Sequence, residues 1–296
     1  MDSKNKLVKK VIILIPVFND WQSVFKLLEN INTEVSSLEG EFSIIIVNDA
    51  SSEVRPEIST NLEKLKSIKI INMKENKGHA RCYAAGLKYI FEKEEFDYVI
   101  PMDGDGEDRP EEIKNFIEHL NYSPDKPIVG ERIKRAEGVF FKFCYSIHKL
   151  LTFAFTGQSI KFGNYTCLPK SVVEKMVKQK ETWSSFSGSL TKVAKDRATI
   201  PSIRGTRYFG PSKMSFINLI KHSLSIIAVF KINVIVRSIL FLLVYLLLMS
   251  ENISIITLIP ILLVIIMIVL VFLISDRENI TEFNDSLKNI ITIENL

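Results

Sequence analysis

The feature that most limits how this chain can fold is an uncharged apolar stretch near its C-terminus. Residues 253–274 contain no charged side chain and only two hydroxyl residues and one proline as interruptions. A helix of this length can cross a hydrocarbon core about 30 Å thick. A second apolar stretch, 238–249, reaches spanning length only if 232–236 belong to it, with Arg237 at the interface or against a partner helix. The sequence therefore predicts a two-helix transmembrane hairpin over 232–276, and one span plus an interfacial helix is the alternative.

The charges around this hairpin predict its orientation. Four basic residues precede the first span, Arg277 follows the second, and the short turn between the spans carries only Glu251. Because positively charged flanks remain in the cytoplasm, we expect an integral, multi-pass protein of the cytoplasmic (inner) membrane with both termini and the soluble domain in the cytoplasm. The polar N-terminus has no signal-peptide pattern, and three scattered cysteines indicate a reducing compartment. A net charge of +4 does not indicate a nucleic acid partner.

Between residue 10 and about 130, apolar runs of strand length alternate with segments of helical periodicity. Strands are predicted at 11–16, 42–47, 68–72, 96–102 and 127–130. Helices are predicted at 21–35, 56–66, 78–92 and 110–120. This alternation predicts an α/β fold with a mostly parallel sheet, helices on both faces and right-handed crossovers.

The middle of the chain has a different composition. Residues 139–155 are rich in aromatic and basic side chains, which is typical of either an interfacial helix or a core helix. Residues 215–230 carry apolar side chains at helical spacing just before the predicted hairpin. The expected organisation is a soluble α/β domain over 1–212, a juxtamembrane amphipathic helix over 213–231, the hairpin over 232–276 and a cytoplasmic tail over 277–296.

The densest group of carboxylates follows the fourth predicted strand. Asp103 and Asp105 are separated by one glycine, and another glycine follows Asp105. Ligands of open α/β sheets bind outside the carboxyl ends of the strands. Two such carboxylates can therefore offer oxygen ligands to one divalent cation, although an isolated Asp-x-Asp is more often a solvated turn. Asp108, just before Arg109 and Pro110, is expected to cap the next helix.

Polar residues also follow the other three strands. Asp20 follows the first strand, Asp49 the second, and Asn76 to Gly78 the third. Singly, each has an ordinary explanation as a helix cap or a turn residue. Because the carboxyl ends of parallel strands share one edge, together with Asp103 and Asp105 they predict a sugar-nucleotide site.

With these motifs the chain resembles the inverting glycosyltransferases of family 2, which have the GT-A fold. Within that family it is most similar to the membrane-attached branch that includes dolichyl-phosphate mannose synthase and bacterial polyprenyl-phosphate glycosyltransferases. The matching motifs are IPVFND at 15–20, VNDAS at 47–51, NKG at 76–78, MDGDGEDRP at 102–110, GER at 130–132 and RYFGPSK at 207–213.

The resemblance implies roles for individual residues on the donor side, where a UDP- or GDP-sugar would bind. The nucleotide-sugar pocket would comprise Pro16, Phe18, Asp20, Asp49, Asn76, Gly78 and Asp103. Asp103 and Asp105 would also hold a Mg²⁺ or Mn²⁺ ion that bridges the diphosphate.

The resemblance also implies a catalytic group of Asp105, Arg132, Arg207 and Lys213. Arg132 and Arg135 would assist at the diphosphate, and a surface position without a role is the alternative for Arg135. Arg207 and Lys213 would grip the phosphate of a lipid-phosphate acceptor, since a guanidinium fork suits phosphate oxygens and an ammonium adds a point charge.

One departure from the branch leaves the acceptor open. The branch usually has an acidic residue and an arginine where this chain reads GNYT at 163–166. The expected reaction is transfer of one sugar to a polyprenyl phosphate, which needs no strong general base. Transfer to a hydroxyl of a lipid-linked or envelope glycan is the alternative, and it would need a base such as Glu181 or Asp196. A non-catalytic nucleotide-binding membrane scaffold is the remote alternative, and a homo-oligomer is compatible with each of them.

Overall fold

The computed structural model describes residues 8–57, 61–134, 139–211, 215–251 and 253–296. The strands are β1 Lys10–Val17, β2 Glu41–Asn48, β3 Ser67–Met73, β4 Tyr98–Pro101, β5 Ile128–Lys134, β6 Phe162–Pro169, β7 Ala198–Ile203 and β8 Ile290–Asn295. The helices are α1 Trp21–Val35, α2 His79–Lys93, α3 Ile113–His119, α4 Val139–Thr156, α5 Lys170–Val177, α6 Phe186–Val193, α7 Phe216–Ala228, α8 Lys231–Met249, α9 Ile255–Ser275 and α10 Ile280–Asn284.

One mixed sheet organises the soluble part of the chain. Its strand order is β7-β5-β6-β4-β1-β2-β3-β8. The centre is parallel, since β1 pairs in parallel with β2 and β4, and β2 with β3. Antiparallel strands lie outside this centre, with β6 between β4 and β5, and β8 against β3. The predicted α/β class with its parallel centre is confirmed, and the carboxyl ends of β1 to β4 share one edge of the sheet.

The core lies on both faces of β1, which explains its continuous apolar run. Ile13 and Ile15 pack in the layer that contains α1, whereas Leu14 packs in the opposite layer with Leu87 and Ile90 of α2. A central parallel strand is covered on both faces. Side chains that point to either face must therefore be apolar. This burial holds the strand ends rigidly and so positions the loops that follow them.

The helix predicted over 56–66 is wrong for the described part of that segment. Residues 56–57 and 61–66 contain no helix. The Leu65 amide bonds to the Leu62 carbonyl at 3.0 Å, which is the spacing of a turn, and the Lys64 amide bonds to the Asn32 side chain at 2.9 Å. The segment is therefore held by α1 and not by its own helical hydrogen bonds.

The two long C-terminal helices match the predicted hairpin in position and character. Among the described helices, α8 and α9 are the ones with the length and apolar composition to cross a membrane, and most of their side chains are exposed. The Tyr245 hydroxyl of α8 donates to the Thr257 carbonyl of α9 at 2.9 Å, which joins the two helices. The α4 helix meets the start of α8, where Asn233 Nδ2 donates to the Thr156 carbonyl at 3.1 Å.

The segment after Arg277 differs from the separate tail expected. It forms α10 and then β8, which adds an antiparallel strand beside β3 with Ile71 opposite Ile293. Phe283 of α10 is fully buried and stacks on Trp183 at a ring distance of 5.6 Å. The C-terminal residues are thus part of the α/β domain.

Candidate functional site

The loop after β1 turns sharply and is tied to the loop after β2. Asn19 has a positive φ of 50°, and its side-chain oxygen accepts hydrogen bonds from the Ser52 amide at 2.8 Å and the Glu53 amide at 3.1 Å. Pro16 is the last residue but one of the buried strand, which ends at Val17, and the residues from Phe18 on leave the sheet edge. The Phe18 ring is 43% exposed. An exposed aromatic face held by a rigid loop can stack a nucleobase.

Asp49 holds the loop after β3. Its side chain is buried, and its two oxygens accept the Lys77 and Gly78 amides, each at 2.8 Å. Gly78 has a φ of +91°, a left-handed conformation that glycine adopts without steric cost. Asn76 is exposed on the same loop. The structure therefore brings the predicted residues Asp49, Asn76 and Gly78 together, with Asp49 as the organiser of the loop.

Asp103 is the most heavily bonded carboxylate of the site. Its Oδ1 accepts the Tyr83 hydroxyl at 2.8 Å, lies 3.0 Å from His79 Nε2 and is 3.5 Å from the Asn164 amide nitrogen. Burial alone would raise the pKa of Asp103, but the nearby His79 and Arg204 charges and the Tyr83 bond hold that pKa well below its usual range. Asp103 is therefore ionised.

Asp105 lies on the same loop as Asp103 and pairs with Arg207. Arg207 Nη1 lies 2.5 Å from Asp105 Oδ2, and Arg207 Nη2 lies 2.7 Å from Asp20 Oδ2. The other oxygen of Asp105 accepts the Glu107 amide at 3.0 Å. Burial and the charge of Asp103 raise the pKa of Asp105 to about 6. Because Arg207 contacts both Asp20 and Asp105, it connects the loops after β1 and β4.

Asp108 does not cap the following helix, so that prediction is wrong. Arg109 occupies the cap position of the short turn that begins at Pro110, and no side chain caps it. Asp108 is buried and its Oδ2 accepts the Asp103 amide at 3.0 Å. Burial and the charge of Asp103 raise the pKa of Asp108 to about 7. Asp108 therefore stabilises the loop that carries Asp103.

The donor atoms of this site fit a hard divalent cation. Carboxylate oxygens are the ligands that Mg²⁺ and Mn²⁺ prefer. The raised pKa values of Asp105 and Asp108 show that the carboxylates repel one another in a buried setting, and a cation would relieve this repulsion. Within the described ranges no group of three His, Cys, Asp or Glu side chains could hold a metal alone. Asp103 and Asp105 would thus bind the ion together with oxygens of a ligand.

Of the remaining predicted cations, Arg132 lies in the part of the chain that the structure describes. Arg132 of β5 lies against the β6 backbone, where a Cβ added to Gly163 would be 2.8 Å from its Nη2, and its charge lowers the pKa of Asp108. Lys213 and Arg135 lie outside the described residues.

The two candidate bases are engaged elsewhere. Glu181 is buried and pairs with Lys192 at 2.6 Å. Asp196 is exposed and pairs with Lys126 at 2.7 Å, at the start of β7 and so at the opposite edge of the sheet.

The structure adds residues that the motifs do not single out. His79 and Tyr83 are four residues apart on α2 and so lie on one helix face. Both side chains contact Asp103 Oδ1. Asn164 reaches the same oxygen from β6. Arg204 pairs with Glu107 beside them. The i,i+4 spacing after Gly78 could have identified His79 and Tyr83, whereas no local pattern marks Arg204.

Solved structures share this architecture. A mannosyltransferase from Pyrobaculum calidifontis, in complex with GDP-Man and Mn²⁺, aligns with 92% of this chain and 74% of its own at a TM-score of 0.51 and 13% identity. Glucosyl-3-phosphoglycerate synthase from Mycobacterium tuberculosis, in complex with Mn²⁺ and UDP, aligns with 76% of this chain and 80% of its own at 0.54 and 11% identity. At these identities the likeness shows the fold alone, and it confirms the GT-A fold.

Sequence relatives agree with the fold. The undecaprenyl-phosphate 4-deoxy-4-formamido-L-arabinose transferases of Salmonella choleraesuis and Salmonella typhimurium are each 29% identical in an alignment 221 residues long that covers 72% of this chain. The match spans 65% of the length of these relatives, slightly less than two thirds. Residues 12–173 match the sequence model described as Glycosyl transferase family 2. Because that match covers more than half of the 296 residues, the chain belongs to glycosyl transferase family 2.

Proposed function

We propose that this chain is a membrane-anchored, metal-dependent, inverting glycosyltransferase that moves one sugar from a nucleoside-diphosphate donor to a polyprenyl phosphate at the cytoplasmic membrane face. The observation that carries the proposal is the pair of Asp103 and Asp105 at the end of β4, beside the exposed Phe18 ring and the loop held by Asp49. Relatives named for transfer to undecaprenyl phosphate support this acceptor class.

The donor half of the site would use residues that follow β1 and β4. The exposed Phe18 ring would offer an aromatic face to the base, Asp103 would accept a ribose hydroxyl, and Asp103 with Asp105 would hold Mg²⁺ or Mn²⁺. A bound divalent cation stabilises the negative charge that develops on a leaving diphosphate. Asp49 and Asp108 hold the loops after β3 and β4 through bonds to backbone amides, and Asp49 would also contact the donor base.

In the proposed reaction a phosphate oxygen attacks C1 of the sugar as the bond from C1 to the diphosphate breaks. The electron pair of that bond leaves with the diphosphate, and the configuration at C1 inverts. An acceptor phosphate is anionic near pH 7, so no proton has to be removed from it. The separate locations of Glu181 and Asp196 favour this acceptor over a hydroxyl, which would need a base near the reacting atoms.

Cations near the centre would serve the acceptor. Arg132 lies beside Asp108, and Lys213 is proposed to approach from the segment before α7. Arg207 is bound to Asp20 and Asp105 in this structure, so gripping an acceptor phosphate would require it to exchange partners. A bidentate guanidinium–phosphate contact can replace a carboxylate pair with similar geometry.

The fold supports anchoring by a hairpin. The α8 helix begins next to α4 of the α/β domain, and the chain that leaves α9 returns to the same domain as β8. Both ends of the pair α8 and α9 therefore lie on the same side of a membrane if both helices cross it. Together with the basic flanks, this favours a multi-pass protein with a cytoplasmic catalytic domain.

The test is a transfer assay with the full chain purified in detergent. UDP- and GDP-sugars would be supplied with Mn²⁺ and, in parallel assays, with undecaprenyl phosphate or with a lipid-linked glycan, and the lipid product would be treated with mild acid. We expect an acid-labile sugar phosphate, lost in Asp105→Asn and retained in Glu174→Gln, whose carboxylate pairs with Lys178 on the surface of α5. An acid-stable product would identify a hydroxyl acceptor. Nucleotide binding without transfer to either acceptor would favour a scaffold.

A further inference from the structure

The C-terminal segment reaches the donor side of the site through Glu282. Glu282 of α10 accepts the Trp183 indole N–H at 2.9 Å. Its carboxylate also lies 3.4 Å from the Lys77 ammonium, which pairs with Glu75 of its own loop at 2.8 Å, and 4.0 Å from Arg81 Nε. Lys77 belongs to the loop whose amides bind Asp49. A negative charge supplied by residues beyond the membrane helices therefore ties the loop after β3 to the C-terminal segment.

A second set of contacts runs through β8. Glu294 Oε1 accepts Asn72 Nδ2 at 2.5 Å, and Glu294 Oε2 pairs with Arg55 at 2.7 Å. Asn72 Oδ1 in turn accepts Asn48 Nδ2 at 2.8 Å, and Asn48 Oδ1 accepts the Ser51 backbone amide at 3.0 Å. These bonds link β8 to the loop after β2, which is itself tied to the Asn19 loop.

The same segment is fastened to the base of the hairpin. It follows α9 directly, and the buried Glu278 carboxylate lies between Lys180 at 3.7 Å and Lys231, the first residue of α8, at 3.6 Å. Phe283 then anchors α10 in the core. The chain from 278 to 296 is thus a continuous, packed connection from the membrane helices to two of the four loops at the sheet edge.

We propose that residues 278–296 are a positioning segment for the donor nucleotide, in which Glu282 fixes the loop at Lys77 and Glu294 fixes the loop after β2. Neither carboxylate touches the reacting atoms. The proposal rests on the donor site proposed above, and it goes beyond that site by making donor affinity depend on residues that follow the hairpin. It also means that one segment of the chain connects the membrane helices to the donor pocket.

The test is binding of UDP and of GDP, each with Mn²⁺, to the full chain in detergent by calorimetry. Glu282→Gln keeps an acceptor for Trp183 but removes the charge that attracts Lys77. For a partly exposed pair we expect the better-bound nucleotide to lose about two- to fivefold in affinity. Glu294→Gln should lose a similar factor, and the two losses should multiply in the double variant because the contacts are separate. Glu174→Gln is the matched control, since it neutralises a carboxylate paired at 2.7 Å on a remote helix.

Two further measurements separate positioning from general stability. The difference between Glu282→Gln and the unchanged chain should shrink in about 1 M NaCl, because salt screens an exposed pair, whereas lost packing would persist. Glu282→Gln combined with Lys77→Gln should bind no more weakly than Lys77→Gln alone. An unchanged affinity in Glu282→Gln, or additive losses with Lys77→Gln, would overturn the positioning role. If the unchanged chain binds neither nucleotide, the proposed donor function fails first, and the positioning role falls with it.

Discussion

Arg207 bridges Asp105 and Asp20, with nitrogen–oxygen distances of 2.5 and 2.7 Å. These carboxylates follow β4 and β1, so one planar guanidinium joins two of the loops that form the site. In the proposed metal site, a divalent cation would need the oxygen of Asp105 that Arg207 contacts. The arginine and the ion would therefore compete for Asp105 in the nucleotide-free protein.

This competition predicts that Arg207→Gln binds Mn²⁺ more tightly than the unchanged chain in the absence of nucleotide. Removing a competing ion pair worth ~1 kcal/mol would raise the affinity about fivefold. Titration of Mn²⁺ followed by electron paramagnetic resonance measures it. The control is Arg109→Gln, whose guanidinium pairs with Glu111 at 3.5 Å. A lower Mn²⁺ affinity in Arg207→Gln would mean that Arg207 supports the metal site and does not compete with it.

His222 of α7 predicts a loss of stability in mild acid. Burial, and then the positive charges of His79 and His148, lower the pKa of His222 to about 4, and Asp103 and Arg132 also act on it. The unfolded chain binds a proton near pH 6.5, so the folded state binds fewer protons between pH 6.5 and 4. The contribution of His222 to the free energy of unfolding is therefore fully present above pH 6.5, where the imidazole is neutral in both states, and is lost as the pH falls toward 4.

Replacement of this histidine provides the check. His222→Asn cannot take up a proton, so its unfolding temperature should fall less between pH 7.5 and about pH 5 than that of the unchanged chain. His119→Asn, at the end of α3, should behave like the unchanged chain. Equal pH dependence in His222→Asn and the unchanged chain would show that His222 titrates as it does in the unfolded state.

The cysteines should differ sharply in reactivity. Cys82 and Cys167 are fully buried, and burial raises the pKa of both thiols above the usual value. The charge of Asp49 also raises the pKa of Cys82. Cys144 of α4 is partly exposed. Because the thiolate is the reactive form, a thiol reagent at pH 8 should modify one cysteine in the native protein and three after denaturation. Cys144→Ser should remove the fast reaction, and a second fast thiol in that variant would contradict the buried positions.

The strand ends of the site could be predicted because each strand carries its own signal. The apolar runs before Asp49 and Asp103 are continuous, since central parallel strands are buried on both faces, and the residues that follow must emerge at one edge. A residue's position along a strand is thus a local property. The predicted meeting of Asp20, Asp49, Asp103 and Asp105 at one edge required no knowledge of side-chain contacts.

The partnerships within the site could not be predicted, since they join residues far apart in sequence. Arg207 finds Asp20 and Asp105 across 187 and 102 positions. Asp108 resembles a helix cap in its local context, yet tertiary burial turns it toward the Asp103 amide. The β8 strand has only a short apolar pattern, and its place beside β3 depends on the return of the chain from the membrane helices.

Gly106 packs the loop that carries Asp105 against Tyr208, and this contact predicts an unusually large cost for a single methyl group. Gly106 has a φ of +86°, and an added Cβ would lie 2.5 Å from the Tyr208 ring. Tyr208 is fixed at both ends. Its hydroxyl accepts Asn30 Nδ2 at 2.8 Å, and its backbone amide donates to the Asp105 carbonyl at 2.9 Å. Gly106→Ala must therefore move either the ring or the loop that carries Asp105.

Gly210 offers a matched control, since it has a φ of +64° with nothing within 4 Å of an added Cβ. Gly210→Ala should cost only the backbone strain of about 1 kcal/mol, whereas Gly106→Ala should cost about 2–4 kcal/mol because overpacking is added to that strain. Denaturant unfolding of the full chain in detergent measures both variants. Mn²⁺ affinity should fall in Gly106→Ala alone, since only that substitution displaces Asp105. Equal losses of stability in the two variants would show that the Tyr208 contact yields at little cost, and that the loop carrying Asp105 is softer than its hydrogen bonds suggest.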